Sequence, residues 1–308
     1  MKPVLLDMDP GHDDAVALLL ACAALDLRGV TTVAGNVPLE KTTRNALRVL
    51  SLIGRGDVPV AAGAAAPLER ELYTAENIHG ESGLDGPEIP APAFGPDGRG
   101  AVELMADVVG GSHEPVTLIP TGPMTNVAAF LRERPDLKEN VDGIVLMGGS
   151  IGLGNTTPAA EFNIYVDPEA ARIVFGSGLP VTMVGLDVTH LAGATPERRA
   201  RIRRLGPVGE AVAGLLEFFA STYREVYALD APPIHDAVAV AAVVDPALLK
   251  TRPMRVEVEC ESELTRGQTV CDYHGVWGLP PNAEVGVDLD VEAFFELLCG
   301  TLERLEAR

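Results

Sequence analysis

The chain has 308 residues, 47% of them hydrophobic, and a formal net charge of -20. This composition excludes a disordered chain, and an acidic surface of this size disfavours nucleic acid and anionic membranes as partners. No stretch is long enough to span a bilayer, and Asp7 and Asp9 interrupt the position where a signal peptide would have its apolar core. None of the four cysteines forms a C-x-x-C pair, which favours reduced thiols in a cytoplasmic protein.

The chain opens with a predicted strand, turn and helix that carry several carboxylates. Residues 4–6 are apolar, the Pro-Gly pair at 10–11 signals a turn, and Asp13 and Asp14 begin an apolar run typical of a buried helix. Asp9 therefore leaves the end of the strand, and all three carboxylates can point into one volume. Close carboxylates repel each other, and a hard divalent cation with several oxygen ligands would offset that repulsion. The alternative is that they only cap the helix and form the turn.

Strands and helices alternate along most of the chain. Apolar runs predict strands at 28–35, 58–63, 115–119, 142–149 and 179–187, and alternating segments predict three more at 253–260, 266–273 and 283–288. Helical patterns occupy 38–54, 101–110, 196–228, 232–244 and 291–305, and further helices end near Arg134 and start at Asp167. This order predicts an α/β fold with an open, mostly parallel (Rossmann-like) sheet flanked by helices, plus extra C-terminal strands. Because no repeat or linker is visible, residues 1–308 are expected to form a single domain.

Two stretches depart from this alternation. Residues 64–100 and 150–163 predict long loops, which in compact domains are usually functional or mobile. Five arginines between positions 198 and 204 begin the helix predicted at 196–228. In so acidic a chain they indicate a solvated helix face rather than a nucleic-acid patch.

Polar residues collect where the predicted strands end. In an open parallel sheet, ligands bind beyond the carboxyl ends of the strands, so these residues form one candidate site. They are Asp9, Asp13, Asp14, Asn36, Thr121, Met147, Asn155, Glu161, Asn163, His235 and Asp236. Neither G-x-G-x-x-G nor a Walker A loop is present to indicate a nucleotide phosphate site.

The segment DMDPGHDDAVAL closely resembles the N-terminal signature of the inosine-uridine preferring nucleoside hydrolases. The resemblance covers nearly the whole chain in order and spacing. It extends to Asn36, NIHGESGLDG (77–86), PTGPMTN (120–126), the MGG of 147–149, the N…EFN of 155–163 and the IHDA of 234–237.

The resemblance implies one Ca²⁺ at the bottom of the pocket. By position, Asp9, Asp14 and Asp236 would supply carboxylates and Thr121 a backbone carbonyl, with water and the ribose hydroxyls completing the shell. An all-oxygen site of high coordination number suits calcium better than zinc or magnesium.

The implied reaction is hydrolysis of the N-glycosidic bond of a ribonucleoside through an oxocarbenium-like state. Asp13 resembles the general base that takes a proton from a calcium-bound water, and His235 resembles the general acid for the leaving base. The alternative for His235 is that it only orients Asp236. The other implied contacts are Asn36, Asn155, Glu161 and Asn163 on the ribose, Met147 under it or in the core, and His79 and Phe162 facing the base.

The resemblance also implies a small-molecule ribonucleoside substrate, a homodimer or homotetramer, and a role in nucleoside salvage. Tyr223 and Tyr227 lie where a helix of the family can close over the pocket, but core or surface positions fit them nearly as well. The preferred base is left open.

Two other functions remain as alternatives. A phosphatase of the haloacid dehalogenase type also begins with a strand and D-x-D, as in Asp7 and Asp9, although Gly11 stands where that family expects Thr or Val. The second alternative is a protein that binds ribosides or calcium without turnover.

Overall fold

The structure is a computed structural model that describes residues 2–306. Its first half alternates strands with helices. The elements are β1 (Pro3–Met8), α1 (His12–Ala24), β2 (Asp26–Thr32), α2 (Leu39–Leu52), β3 (Val60–Ala62), α3 (Glu76–His79), α4 (Ala101–Gly111), β4 (Val116–Pro120), α5 (Thr125–Glu133) and β5 (Val141–Met147).

The second half adds more helices and the remaining strands. They are α6 (Phe162–Val166), α7 (Pro168–Phe175), β6 (Val181–Val184), α8 (Leu186–Thr189), α9 (Pro196–Arg203), α10 (Pro207–Tyr227), α11 (His235–Val244), β7 (Leu249–Met254), β8 (Val256–Val258), β9 (Thr269–Cys271), β10 (Ala283–Leu289) and α12 (Val291–Glu306). Short 3₁₀ turns lie at Pro135–Asn140 and Pro246–Leu248.

Eight of the strands within residues 2–306 form one sheet in the order β3-β2-β1-β4-β5-β6-β10-β7. Neighbours run parallel except β7, which is antiparallel to β10 at the edge. β8 and β9 pair with each other in a separate antiparallel ribbon. The predicted α/β fold with extra C-terminal strands is therefore confirmed.

The centre of the sheet is buried on both faces, as parallel strands flanked by helices must be. All residues of β1 and β4 are buried. Helix α1 is buried from His12 to Ala23, with α2, α10, α11 and α12 packed around it. A helix surrounded in this way needs apolar residues on every side, which explains the unbroken run AVALLLACAA (15–24).

Among residues 2–306, no helix combines the length and apolar composition that crossing a membrane requires.

Two predicted elements are wrong in their extent. The helix predicted at 196–228 is two helices, because Gly206 has a φ of 135° and Pro207 begins a new first turn. The Glu306 carboxylate accepts hydrogen bonds from the backbone N–H groups of Val208 and Gly209, which caps α10 from the far end of α12.

The strand predicted at 253–260 is divided between β7 and β8. The side chain of Asn282 accepts a hydrogen bond from the Val256 N–H (2.7 Å) and donates one to the Val256 carbonyl (2.9 Å). A side chain thus replaces the neighbouring strand, and the chain leaves the main sheet there.

The arginines of α9 lie mostly on an exposed face, but they are paired within the chain. Arg198 and Arg201 contact Glu292 and Glu296 of α12, and Arg203 contacts Glu217 of α10. Arg199 differs from the prediction, since it is buried and donates to the carbonyls of Ala194 and Asp230.

Candidate active site

The corner between β1 and α1 sets the carboxylates of the first motif. β1 ends at Met8, so Asp9 follows the carboxyl end of a central strand, and Asp13 and Asp14 lie in the first turn of α1. Asp14 Oδ2 accepts a hydrogen bond from the Gly11 N–H at 2.9 Å, which satisfies one of the free donors at the start of the helix. Asp7, the remaining carboxylate of the motif, points elsewhere and accepts from Thr31 and Asn126.

Asp9 is completely buried and only partly bonded. Its Oδ2 accepts from the Asn36 N–H at 2.6 Å, whereas its Oδ1 has no hydrogen-bond partner within the described chain. A Cβ atom at Gly35 or Gly122 would overlap the two carboxylate oxygens. Glycine at both positions therefore leaves Asp9 its place beneath the cavity.

Asp14 is held by side chains from two other strand ends. The Thr121 hydroxyl donates to Asp14 Oδ1 at 2.9 Å, and Asn36 Nδ2 donates to Oδ2 at 3.2 Å. Sequence reasoning gave Thr121 a role only through its carbonyl. Its hydroxyl contact was missed because no local pattern links residues 14 and 121.

Asp236, at the start of α11, completes the acidic group. Asp13, Asp14 and Asp236 each offer an oxygen within 4.8 Å of the others, and Asp9 lies close enough for its charge to act on Asp236. Burial raises the pKa of all four carboxyls, that of Asp13 to about 7. Repulsion from neighbouring carboxylates raises the pKa of Asp9, Asp13 and Asp236 further. All-oxygen donors and an unpartnered buried oxygen fit a hard divalent cation.

A polar side of the site comes from the segment after β5. Glu161 is buried and caps α6: its carboxylate accepts from the N–H groups of Gly149 (2.9 Å), Asn163 (2.9 Å) and Ile164 (3.2 Å). Burial nevertheless raises the pKa of Glu161 to about 7. Asn155 Oδ1 accepts from the backbone N–H of Phe162 at 3.0 Å, which closes the loop over this segment.

Asn163 connects this segment to the acidic group. Its Nδ2 donates to the carbonyl of Thr121 at 2.8 Å and to the carbonyl of Met147 at 3.2 Å. The carbonyl predicted to coordinate a metal thus already accepts one hydrogen bond, and its second lone pair can serve a cation.

The opposite side of the site is formed by histidines and aromatic rings. His235 Nδ1 lies 2.7 Å from the Thr189 hydroxyl and its Nε2 lies 3.0 Å from the Tyr223 hydroxyl. Burial lowers the pKa of His235 to about 3, so its ring is neutral. His79 is also buried, and burial followed by the nearby imidazoles lowers its pKa well below the ordinary value.

These groups surround a cavity of about 210 Å³. The predicted residues that line it are Asp13, Asn36, His79, Thr121, Met147, Asn155, Glu161, Phe162, Asn163, His235 and Asp236. Asp9 and Asp14 lie outside this lining and contact it through Asn36 and Thr121. The predicted metal set contains Asp9 without Asp13, whereas the three mutually close carboxylates include Asp13.

Sequence reasoning missed several residues of the site. Phe219 and Tyr73 line the cavity, Thr189 holds His235, and His12 contacts His79. Only His12 carried a visible signal, since it lies inside the acidic motif. Tyr223 and Tyr227, whose positions were left open, both line the cavity, and the Tyr227 hydroxyl donates to the Asn155 carbonyl at 3.3 Å.

Comparisons with known proteins agree with this geometry. The profile of the family described as inosine-uridine preferring nucleoside hydrolase matches residues 4–296. The chain is 52% identical over 305 residues to the pyrimidine-specific ribonucleoside hydrolase RihA of Escherichia coli O139:H28 (strain E24377A / ETEC), with 98% of each chain covered.

Two solved structures are also similar. A purine-preferring ribonucleoside hydrolase from Gardnerella vaginalis has a TM-score of 0.92 and 34% identity over 99% of both chains. The plant nucleoside hydrolase PpNRh1 has a TM-score of 0.91 and 33% identity, covering 98% of this chain and 99% of the other. The chain therefore belongs to the inosine-uridine preferring nucleoside hydrolase family, whose reaction is hydrolysis of the N-glycosidic bond of a ribonucleoside.

Proposed function

We propose that this protein hydrolyses pyrimidine ribonucleosides with the help of Ca²⁺, and that the residues named below carry out the reaction. One observation supports the proposal above all: four buried carboxylates lie close together, and two of them, Asp13 and Asp236, line a cavity that also carries amide groups and the Glu161 carboxylate. The preference for pyrimidines rests on the 52% identity to relatives named pyrimidine-specific.

Asp9, Asp14 and Asp236 would hold the calcium ion together with the carbonyl of Thr121. The unpartnered Oδ1 of Asp9 and the oxygen-only donor set support this assignment. When bound, the ion would act as a Lewis acid that lowers the pKa of water and helps to orient the ribose hydroxyls.

Asp13 is our candidate for the general base. It lines the cavity, whereas Asp9 and Asp14 lie beneath it, so its carboxylate can reach a water molecule beside the sugar. Asp9 is the second candidate for the general base, because its Oδ1 has no hydrogen-bond partner within the described chain.

The ribose would be bound by Asn36, Asn155, Glu161 and Asn163, and their contacts would tighten as positive charge develops on the sugar. Of these four residues, only Glu161 has a side chain that can carry a negative charge and so stabilise the positively charged sugar of the transition state.

His235 is our candidate for the proton donor to the leaving base. Because its ring is neutral in the free protein, the proton that it gives to the base has to be replaced, and the Tyr223 hydroxyl, 3.0 Å from Nε2, is placed to relay the replacement from solvent. Over one turnover, the proton that Asp13 takes from water and releases to solvent balances the proton delivered to the base. His79 and Phe162 would face the base, and Met147 would pack under the ribose.

A reducing-sugar assay with uridine, cytidine and inosine, with and without a calcium chelator, tests the proposal. We expect ribose release from the pyrimidine nucleosides that falls on chelation and returns with Ca²⁺. Faster release from inosine would contradict the preference for pyrimidines. Nucleoside binding without ribose release would favour the non-catalytic alternative, while the phosphatase alternative is set aside by the family match over residues 4–296.

Matched variants separate the two candidate bases. Asp13→Asn should abolish turnover while calcium affinity stays near that of the wild type, and Asp9→Asn should weaken both. Normal calcium affinity with no turnover in Asp9→Asn would transfer the role of base to Asp9. For His235→Ala, uridine should lose more activity than a nitrophenyl riboside, whose leaving group needs no proton.

We further propose a cytoplasmic homodimer or homotetramer. Light scattering after gel filtration would determine the oligomeric state, and a monomer at micromolar concentration would contradict it. Cell fractionation would test the location.

A further inference from the structure

His12 and His79 form a buried pair at the edge of the cavity. Their Nδ1 atoms lie 3.1 Å apart, and their ring centroids lie 5.4 Å apart. His79 lines the cavity, whereas His12 lies behind it and has no role in the proposed reaction.

The proton position on His12 is set by a backbone carbonyl. His12 Nε2 lies 2.8 Å from the carbonyl oxygen of Asp85, and a carbonyl oxygen can only accept, so Nε2 carries a proton. The ring is fully buried and stacked on the rings of His79, Phe218 and Phe219, a setting that favours the neutral form with that single proton. His12 Nδ1 is therefore a bare acceptor.

That bare nitrogen in turn determines the proton position on His79. Two bare nitrogens at 3.1 Å would set lone pair against lone pair, whereas a proton on His79 Nδ1 makes the contact a hydrogen bond. The backbone N–H of His12 is also placed to donate to His79 Nδ1, at the longer distance of 3.3 Å; a proton on that nitrogen leaves this N–H, one of the free donors of the first helical turn, without that acceptor. With its proton on Nδ1, His79 has a bare Nε2, which makes no hydrogen bond within residues 2–306.

Packing prevents either ring from turning to escape this arrangement. Phe218 and Phe219 stack on His12 at centroid distances of 5.2 and 5.4 Å, and Phe219 also stacks on His79 at 5.2 Å. Thr222 donates to the Ile78 carbonyl at 2.8 Å, which ties α3 to α10 next to His79.

We propose that His12 is a positioning residue that holds His79 in its Nδ1–H tautomer, so that His79 offers a bare Nε2 to an N–H donor on the nucleobase. Suitable donors are the ring N–H of uracil and the amino group of cytosine. The identity of this ligand rests on the proposed function, whereas the tautomer does not.

The test is long-range ¹H–¹⁵N correlation spectroscopy on the full chain with labelled histidine and bound Ca²⁺, with the His79 signals assigned by a His79→Gln variant. We expect a protonated Nδ1 and a bare Nε2 in the wild type. In His12→Leu the backbone N–H of residue 12 remains, so His79 should move to the Nε2–H tautomer. The control Phe218→Leu removes no hydrogen bond and leaves Phe219 stacked on both histidine rings, so it should keep the wild-type tautomer.

Kinetics give a second measurement. For uridine, kcat/KM should fall about tenfold in His12→Leu, as expected for loss of one net hydrogen bond. A nitrophenyl riboside, whose leaving group has no N–H, should be unaffected. A wild-type His79 with its proton on Nε2, or an unchanged tautomer in His12→Leu, would overturn the proposal. The tautomer can be measured even if no riboside is cleaved, so failure of the proposed function would be recognised separately.

Discussion

Two sides of the same cavity respond to burial in opposite ways. The acidic floor, formed by Asp9, Asp13, Asp14 and Asp236, has pKa values raised by burial, whereas burial lowers those of the imidazole wall, formed by His12, His79 and His235. In both cases the loss of water disfavours the charged form.

The difference lies in what each side finds in place of water. The wall is satisfied by neutral partners: a carbonyl for His12 and two hydroxyls for His235. The floor finds some amide and hydroxyl donors, but its charged neighbours are other carboxylates, which raise its pKa values further. The comparison teaches that His12 and His235 are satisfied as folded and His79 keeps one acceptor for a ligand, whereas the carboxylates of the floor fit a cation.

The largest expected loss of calcium affinity and activity comes from replacing Asp14 of the acidic floor. Replacing Asp14 with Ala removes a proposed ligand and strands the Thr121 hydroxyl and Gly11 N–H that donate to it. We expect calcium affinity to fall by about 100-fold or more and ribose release to be lost. Isothermal titration with Ca²⁺ measures this, with Asp142→Asn on the exposed surface as the control. Retained affinity would remove Asp14 from the metal site.

The second prediction is that Asp236→Asn changes the stability of the fold in opposite directions without and with Ca²⁺. The raised pKa of Asp236 means that the folded chain binds a proton that the unfolded chain releases, so stability falls as pH rises above about 4. Asp236→Asn removes this loss. In chelator at pH 8 the variant should be more stable than the wild type, and this gain should shrink toward pH 4. With saturating Ca²⁺ it should be less stable. Urea unfolding under both conditions tests this, and a variant that is less stable in chelator would contradict it.

The third prediction concerns the wall. The pKa of His12 is lowered to about 4 from an unfolded value near 6.5, so between these limits the unfolded chain binds the proton and acidification favours unfolding. His12→Leu has no such proton to bind. Its stability should therefore fall less than that of the wild type between pH 6.5 and 4, measured as thermal midpoints at constant Ca²⁺. Parallel curves for the two proteins would show that His12 is charged in the fold.

The smallest effect is expected far from the cavity. Arg201 pairs with Glu296 on the exposed face between α9 and α12, where water and salt screen the charges. Arg201→Ala should leave the thermal midpoint and calcium affinity nearly unchanged. A large loss in either would indicate that this face is buried in an assembly.

Much of the floor could be predicted from the sequence, because its residues follow strand ends that an open parallel sheet brings together. The wall could not be predicted in the same way. Its contacts join His12 to Asp85 and Phe218, which are separated along the chain by 73 residues or more, and no local pattern specifies that pairing.

The errors in the fold have similar physical causes. The ending of β7 depends on the Asn282 side chain, which is 26 residues from its partner Val256 and looks like an ordinary loop residue in the sequence. The break before α10 was readable, since Gly206-Pro207 is a helix-breaking pair, but the helical pattern on both sides outweighed it.

One turn of α1 carries both sides of the cavity, since His12 is followed directly by Asp13 and Asp14. Any tilt of α1 that adapted the wall to a new base would also displace the floor. Directed evolution of base preference should therefore find few productive changes in α1. Libraries that vary α3 and α10, which line the cavity without supplying a floor carboxylate, should give new specificities with the metal site intact.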